Sequence, residues 1–152
     1  MRDAVGGTFM INVLLVFLAV YIVFIAVALN YAKAFRVKNR IIDIIEQNEG
    51  IEDYTDVGDN SVLGQVNDYL RSVSYYVRLS ENKDDKYGIC FDEGYCIEEP
   101  ATVNNYGADE TYYKVTTFVK LDFPFFNLSF TIPITGETRR ITNLKGWLYW
   151  IQ

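Results

Sequence analysis

Apolar positions along the chain change their spacing three times, and each change predicts a different element. Residues 8–29 carry no charge, and Asn12 is the one strongly polar side chain among them. Residues 9–29 are almost continuously Val, Ile, Leu, Phe and Ala. A helix needs roughly 20 such residues to cross a hydrocarbon core about 30 Å thick. A secretory signal has a shorter apolar core, roughly 7–15 residues, followed by a small-residue cleavage site. Ala32-Lys33-Ala34 has the small residues, but Lys33 stands at its centre and the apolar stretch before it is too long. The expectation is a retained membrane helix.

From Tyr31 onward the apolar residues become periodic: Tyr31, Ala34, Phe35, Ile41, Ile42, Ile44 and Ile45. Lys33, Arg36, Lys38, Arg40 and Asp43 fall largely between them. Spacings of three and four put one apolar stripe along a helix. No Pro or Gly interrupts residues 8–49, and Gly50 is a natural stop. One helix over residues 8–49 is predicted, about 63 Å long at 1.5 Å per residue.

Beyond Gly50 the pattern breaks into short pieces. "GIEDYTDVGDN" reads as an acidic loop. Val62, Val66, Tyr69, Leu70, Val73, Tyr76 and Val77 have helical spacing and predict a helix over residues 61–79. Asn60 or Ser61 is its cap, and Gly64 weakens it. "ENKDDKYG" reads as a loop, and "ICFDEGYCIEE" as a hairpin turning at Asp92-Glu93-Gly94. Residues 102–110 read as a polar loop. "TYYKVTTFVKLDF", "FFNLSFTIPI" and, after a turn at Gly136, "TRRITNLKGWLYWI" read as antiparallel strands. Pro124 and Pro133 point to an edge position or a bulge. The fold class is α+β: a long N-terminal transmembrane helix continuing into an amphipathic stalk, a second helix, and a small antiparallel β-sheet head. In segments this is a transmembrane helix over residues 8–32, a stalk over 33–49 and a head over 50–152.

Charge follows the same division. Residues 1–40 hold five basic residues and one acid, and the remainder holds nine basic and nineteen acidic. A front of net +4 and a body of net −10 suit a membrane-facing segment and a solvated head. An acidic body argues against nucleic acid as a partner, because phosphate neutralisation needs a basic surface. The chain has no histidine, which removes the commonest general base and metal ligand. No phosphate-binding glycine loop or nucleophile elbow occurs, so neither an enzyme nor a cofactor is expected. Asp53, Asp56 and Asp59 do not make an EF-hand, since the closing position counted from Asp53 is Gly64. They read as a solvated loop, with a looser Ca²⁺ site as the alternative, and no metal site is assigned. Asn127-Leu128-Ser129 fits a glycosylation sequon inside a predicted strand and is given no role.

Cys90 and Cys96 flank "FDEGY" and are the chain's two cysteines. A hairpin with this turn brings their Cα atoms within disulfide reach, roughly 4.4–6.8 Å. A bridge is expected, and with it a head outside the cytosol. The competing reading is a pair of buried thiols. Trp147, Tyr149 and Trp150 are candidate interface residues, with a buried last strand as the alternative.

The element order, the Gly pair in "GGTFMIN" and the strand-forming "LDFPFFNLSFTIPITGETRRIT" resemble type IV pilins and pseudopilins, with the Tad-type pseudopilins the nearest likeness. The resemblance implies residues 1–7 as a leader, processing at Gly6-Gly7-Thr8, and a helix whose fifth mature residue, Asn12, sets the register between subunits. The family usually has Glu there. Asn12 is a departure that fits a minor or divergent subunit. Implied partners are membrane lipid and like or related pilin subunits, in a homo- or hetero-oligomer. The implied function is a structural subunit of a surface filament or secretion apparatus. The alternative is a single-pass accessory protein that binds a partner and never polymerises. Four basic residues just after the span place the body inside by the positive-inside count. The resemblance and the cysteine pair place it outside, which is the expectation adopted.

Overall fold

The computed structural model describes residues 2–58, 60–79, 84–98, 103–105, 108–123 and 128–142. The chain divides into two compact units, Met1–Lys33 and Ala34–Gln152. Its elements are α1 (Arg2–Gln47), α2 (Val62–Ser72), α3 (Asp84–Tyr87), β1 (Ile89–Phe91), β2 (Tyr95–Glu98), β3 (Val103–Asn105), β4 (Ala108–Thr111), β5 (Lys114–Phe123), β6 (Leu128–Glu137) and β7 (Ile141–Thr142). The architecture is α+β: a long N-terminal helix with an apolar first part, a second helix and small antiparallel sheets.

In the second unit α1 buries Ala34, Val37, Lys38, Ile41, Ile44 and Ile45, the stripe that spacings of three and four define. Its terminus is a Schellman motif. Gly50 N donates to Ile45 O and Glu49 N to Glu46 O, with Glu49 in the left-handed region at φ 57°. The helix therefore ends at Gln47, two residues before the expected end, and begins at Arg2 rather than Thr8. Asn48 donates twice to Ile44 O, from its backbone N at 3.2 Å and from Nδ2 at 2.8 Å.

The main sheet has strand order β1-β2-β5-β6, all antiparallel. Central β5 is covered on both faces, and residues 115–119 are all buried. On one face Thr117 Oγ1 donates to Ala34 O, so α1 lies directly over the strand. Gly136 is not a turn. It pairs with Val115 inside β6, and a Cβ there would meet Lys38 Nζ at 2.8 Å and Ile42 Cδ1 at 3.0 Å. A glycine that looks like a chain reversal instead lets the helix approach the sheet. On the other face Phe118 meets the Tyr87 ring edge-on at 5.5 Å. β6 is an edge strand, and it accommodates Pro133 as an edge strand does.

Three further sequence expectations are corrected. α2 is capped by Ser61, whose side chain accepts from Gly64 N, but it ends at Ser72 instead of continuing to Leu79. A second Schellman motif closes it, with Ser74 at φ 51°. Tertiary contacts then capture residues 75–77. Tyr75 Oη accepts from Phe118 N at 3.0 Å and donates to Phe118 O at 2.7 Å, with Gly94 O 3.1 Å away. Tyr75 and Val77 are buried while Tyr76 between them is exposed, an extended rather than a helical alternation. Part of the "ENKDDKYG" loop is the single helical turn α3, stopped at Gly88 with φ 80°. Residues 102–110 carry strands, not only loop: β3 and β4 join β7 in a second antiparallel sheet, order β3-β4-β7.

Candidate functional site

In the unit Met1–Lys33 the candidate site is the surface of α1 itself. Gly6, Gly7 and Thr8 lie within the helix, and a Cβ on Gly7 would meet nothing within 4 Å. Phe9, Met10, Phe17 and Phe24 are each more than two-thirds exposed. In water such a surface costs roughly 25 cal/mol for each Å² of apolar area left uncovered. In hydrocarbon it costs nothing, and the helix satisfies its own backbone hydrogen bonds there. Among the described residues this is the one helix long and apolar enough to cross a membrane. Asn12 is exposed and borders a shallow apolar groove with Val13, Val16, Phe17 and Val20.

The second unit holds the cysteine pair. Cys90 and Cys96 face each other in the β1–β2 register, with Cα atoms 4.0 Å apart and their sulfurs bonded. The turn between them closes with Gly94 N donating to Phe91 O, and Gly94 sits at φ 96°. A three-residue hairpin loop with glycine in the left-handed position produces this pairing. Phe91 and Tyr95, one pair nearer the turn, stack at 4.6 Å.

The acidic loop uses its carboxylates on itself. Asp53 Oδ1 accepts from Thr55 N and Thr55 Oγ1, both at 2.7 Å, and Asp56 Oδ1 accepts from Gly58 N at 2.9 Å. The backbone hydrogen bond from Thr55 N, then the one from its hydroxyl, hold the Asp53 carboxyl below its ordinary pKa. Asp59 lies outside the described residues. Among the described residues no group of three His, Cys, Asp or Glu is placed to hold a metal ion. Burial pushes the Tyr75 phenol up to about 12 and moves Tyr95 upward as well. Both sit in the core, and Tyr95 Oη donates to Asn67 Oδ1.

Trp147, Tyr149 and Trp150 lie outside the described residues. Asn12 lies in the first unit and the cysteine pair in the second. No family model, curated protein or solved structure matches the chain.

Proposed function

We propose that this chain is a pilin-like structural subunit, of the pseudopilin kind, for a surface filament or secretion apparatus. The first part of α1 anchors it in the membrane and the β-rich head lies outside the cytoplasm. The observation that carries the reading is the division of labour within α1. Its first part is apolar and exposed, and residues 34–45 supply a core stripe to the second unit. A subunit that packs by its anchors needs a span whose surface is not used up by its own head. Asn12 then acts at the registration position, and Gly7-Thr8 is the processing junction.

The test is the N-terminal sequence of the protein isolated from its native membrane. A chain beginning at Thr8 supports the reading, and an intact Met1 in assembled material removes it. Location of the head is read separately, by alkylating native material before and after reduction. An exterior head has no alkylatable thiol until reductant is added. Two freely alkylated thiols without reductant would place the head inside, as the flanking charges do.

A further inference from the structure

Strand β6 alternates in a way that calls for a cover on one face. Ser129, Thr131 and Thr135 are polar and exposed, as suits water. Phe130, Ile132, Ile134 and Gly136 alternate with them and share the other face. At the Gly136 end α1 covers that face, because Lys38 Nζ and Ile42 Cδ1 fill the space a Cβ would take. Ile134 is buried, and its partner across the ladder, Thr117 of β5, donates to Ala34 O. Between these two contacts α1 passes obliquely from β6 to β5, so it leaves the rest of β6 behind. Ile132 is 41% exposed and Phe130 50%. Lys38 Nζ, which reaches Gly136, also lies 4.4 Å from the centre of the Phe35 ring, and Phe35 on that side of α1 is 43% exposed.

From Ile42 to Ala34, α1 advances in the direction that leads along β6 from Gly136 to Ile134. Ile132 and Phe130 lie about 7 and 14 Å farther that way, towards the end at which the chain enters this unit. Ala34 follows Leu29, the last residue of the apolar stretch, by about 7.5 Å of helix rise. Charge on α1 changes sign along the same direction. Arg36, Lys38 and Arg40 lie towards the entry, and Asp43 and Glu46 lie beyond them. Arg36 and Arg40 are exposed and make no ion pair among the described residues.

We propose that Phe35, Ile132 and Phe130 form an apolar patch of the head that rests in the interfacial layer of an anionic bilayer, with Arg36 and Arg40 on the lipid headgroups. Area and charge both select lipid as the occupant. Three half-exposed side chains offer roughly 250 Å² of apolar surface, against about 800 Å² on each side of a stable protein pair. A tethered patch needs no such area, because the span already holds it at a high effective concentration of lipid. Cations beside an apolar patch match headgroups above acyl chains. The acidic remainder of the head is repelled by the same surface, which leaves the basic end facing it. The proposal rests on the anchored span and not on filament assembly.

The test uses the full-length chain in vesicles of phosphatidylcholine, with and without about one-third phosphatidylglycerol. One cysteine at a time is introduced and given an environment-sensitive fluorophore. Cys90 and Cys96 are bonded to each other, so the new thiol is the one labelled. Ile132→Cys is compared with Thr131→Cys, on the opposite face of the strand, and with Tyr76→Cys, exposed elsewhere in the unit. In the anionic vesicles, lipid carrying a nitroxide near its headgroup should quench the label at 132 at least about threefold more than the labels at 131 and 76. Omitting phosphatidylglycerol, or the double variant Arg36→Gln/Arg40→Gln, should cut that excess at least about twofold. Equal quenching at all three sites overturns the patch, and an excess indifferent to anionic lipid overturns the headgroup contact. A label at 132 that is shielded from the nitroxide, with an emission blue shift that grows with the protein-to-lipid ratio, assigns the face to protein and overturns the lipid contact. N-terminal sequencing keeps the two ideas apart. Lipid contact with an intact Met1 retains the patch and drops the pilin-like reading, and a chain beginning at Thr8 without the contact does the reverse.

Discussion

Two stretches of one helix make the informative contrast in this molecule. Residues 9–29 of α1 are apolar apart from Asn12 and exposed, with Val27 alone intermediate. In residues 34–45 the apolar residues form a stripe, and Ala34, Val37, Ile41, Ile44 and Ile45 are at most 3% exposed. Secondary structure is the same in both. What differs is the angular distribution of apolar groups. A single stripe matches a protein core on one side and water on the other. Apolar residues at every azimuth match lipid.

The largest expected effect tests that contrast directly. Ile41→Ala empties a fully buried site and should destabilise the second unit by about 2–5 kcal/mol. Ile22→Ala, at a position 57% exposed, should leave the stability of that unit unchanged. Urea unfolding of the full chain in micelles, followed by aromatic circular dichroism, measures both. Equal losses would mean that the two stretches share one core.

Alkaline pH comes next. The Tyr75 pKa rises from 10.0 unfolded to about 12 folded, because burial disfavours the phenolate. Between these values the unfolded chain loses the proton first, so stability is full below pH 10 and falls as pH rises towards 12. The loss from this group is about 2–3 kcal/mol. Thermal midpoints measured from pH 8 to pH 12 should fall only above about pH 10, and Tyr75→Phe should make the fall shallower, leaving the share of Tyr95, whose phenol burial also moves upward.

Glycines sharpen the same comparison. A Cβ on Gly64 would lie 2.0 Å from Gly58 O, a backbone atom that cannot swing away. Gly64→Ala should cost about 1–3 kcal/mol through overpacking. Gly7→Ala meets nothing, and should leave the second unit's midpoint unmoved in the same unfolding experiment.

The smallest effect is a gain. Glu49 and Ser74 hold left-handed positions that close α1 and α2. Glu49→Gly should stabilise the second unit by up to about 1 kcal/mol, since glycine has no Cβ to strain there. A fall in midpoint would mean that the Glu49 side chain makes a contact worth more than the strain.

The sequence by itself determined whatever depends on neighbours a few residues away. The all-apolar segment, the stripe after Tyr31 and the Ser61 cap were legible because helical periodicity and capping act within one or two turns. So was the hairpin. Asp92-Glu93-Gly94 sets a turn whose register puts Cys90 opposite Cys96, with nothing distant required. Tertiary structure decided the rest. α2 stops at Ser72 because Tyr75 finds its hydrogen-bond partners at Phe118, 43 residues on. Gly136 lies in a strand because it pairs with Val115, 21 residues before it, and Lys38 and Ile42 of α1 occupy the space a Cβ would need. The polar stretch holding residues 103–105 and 108–111 forms strands because β4, which pairs locally with β3, is held by Ile141 and Thr142 about 30 residues on. In each case a long-range contact outweighs a local propensity worth about 1 kcal/mol or less per residue, and no local pattern records where that contact falls.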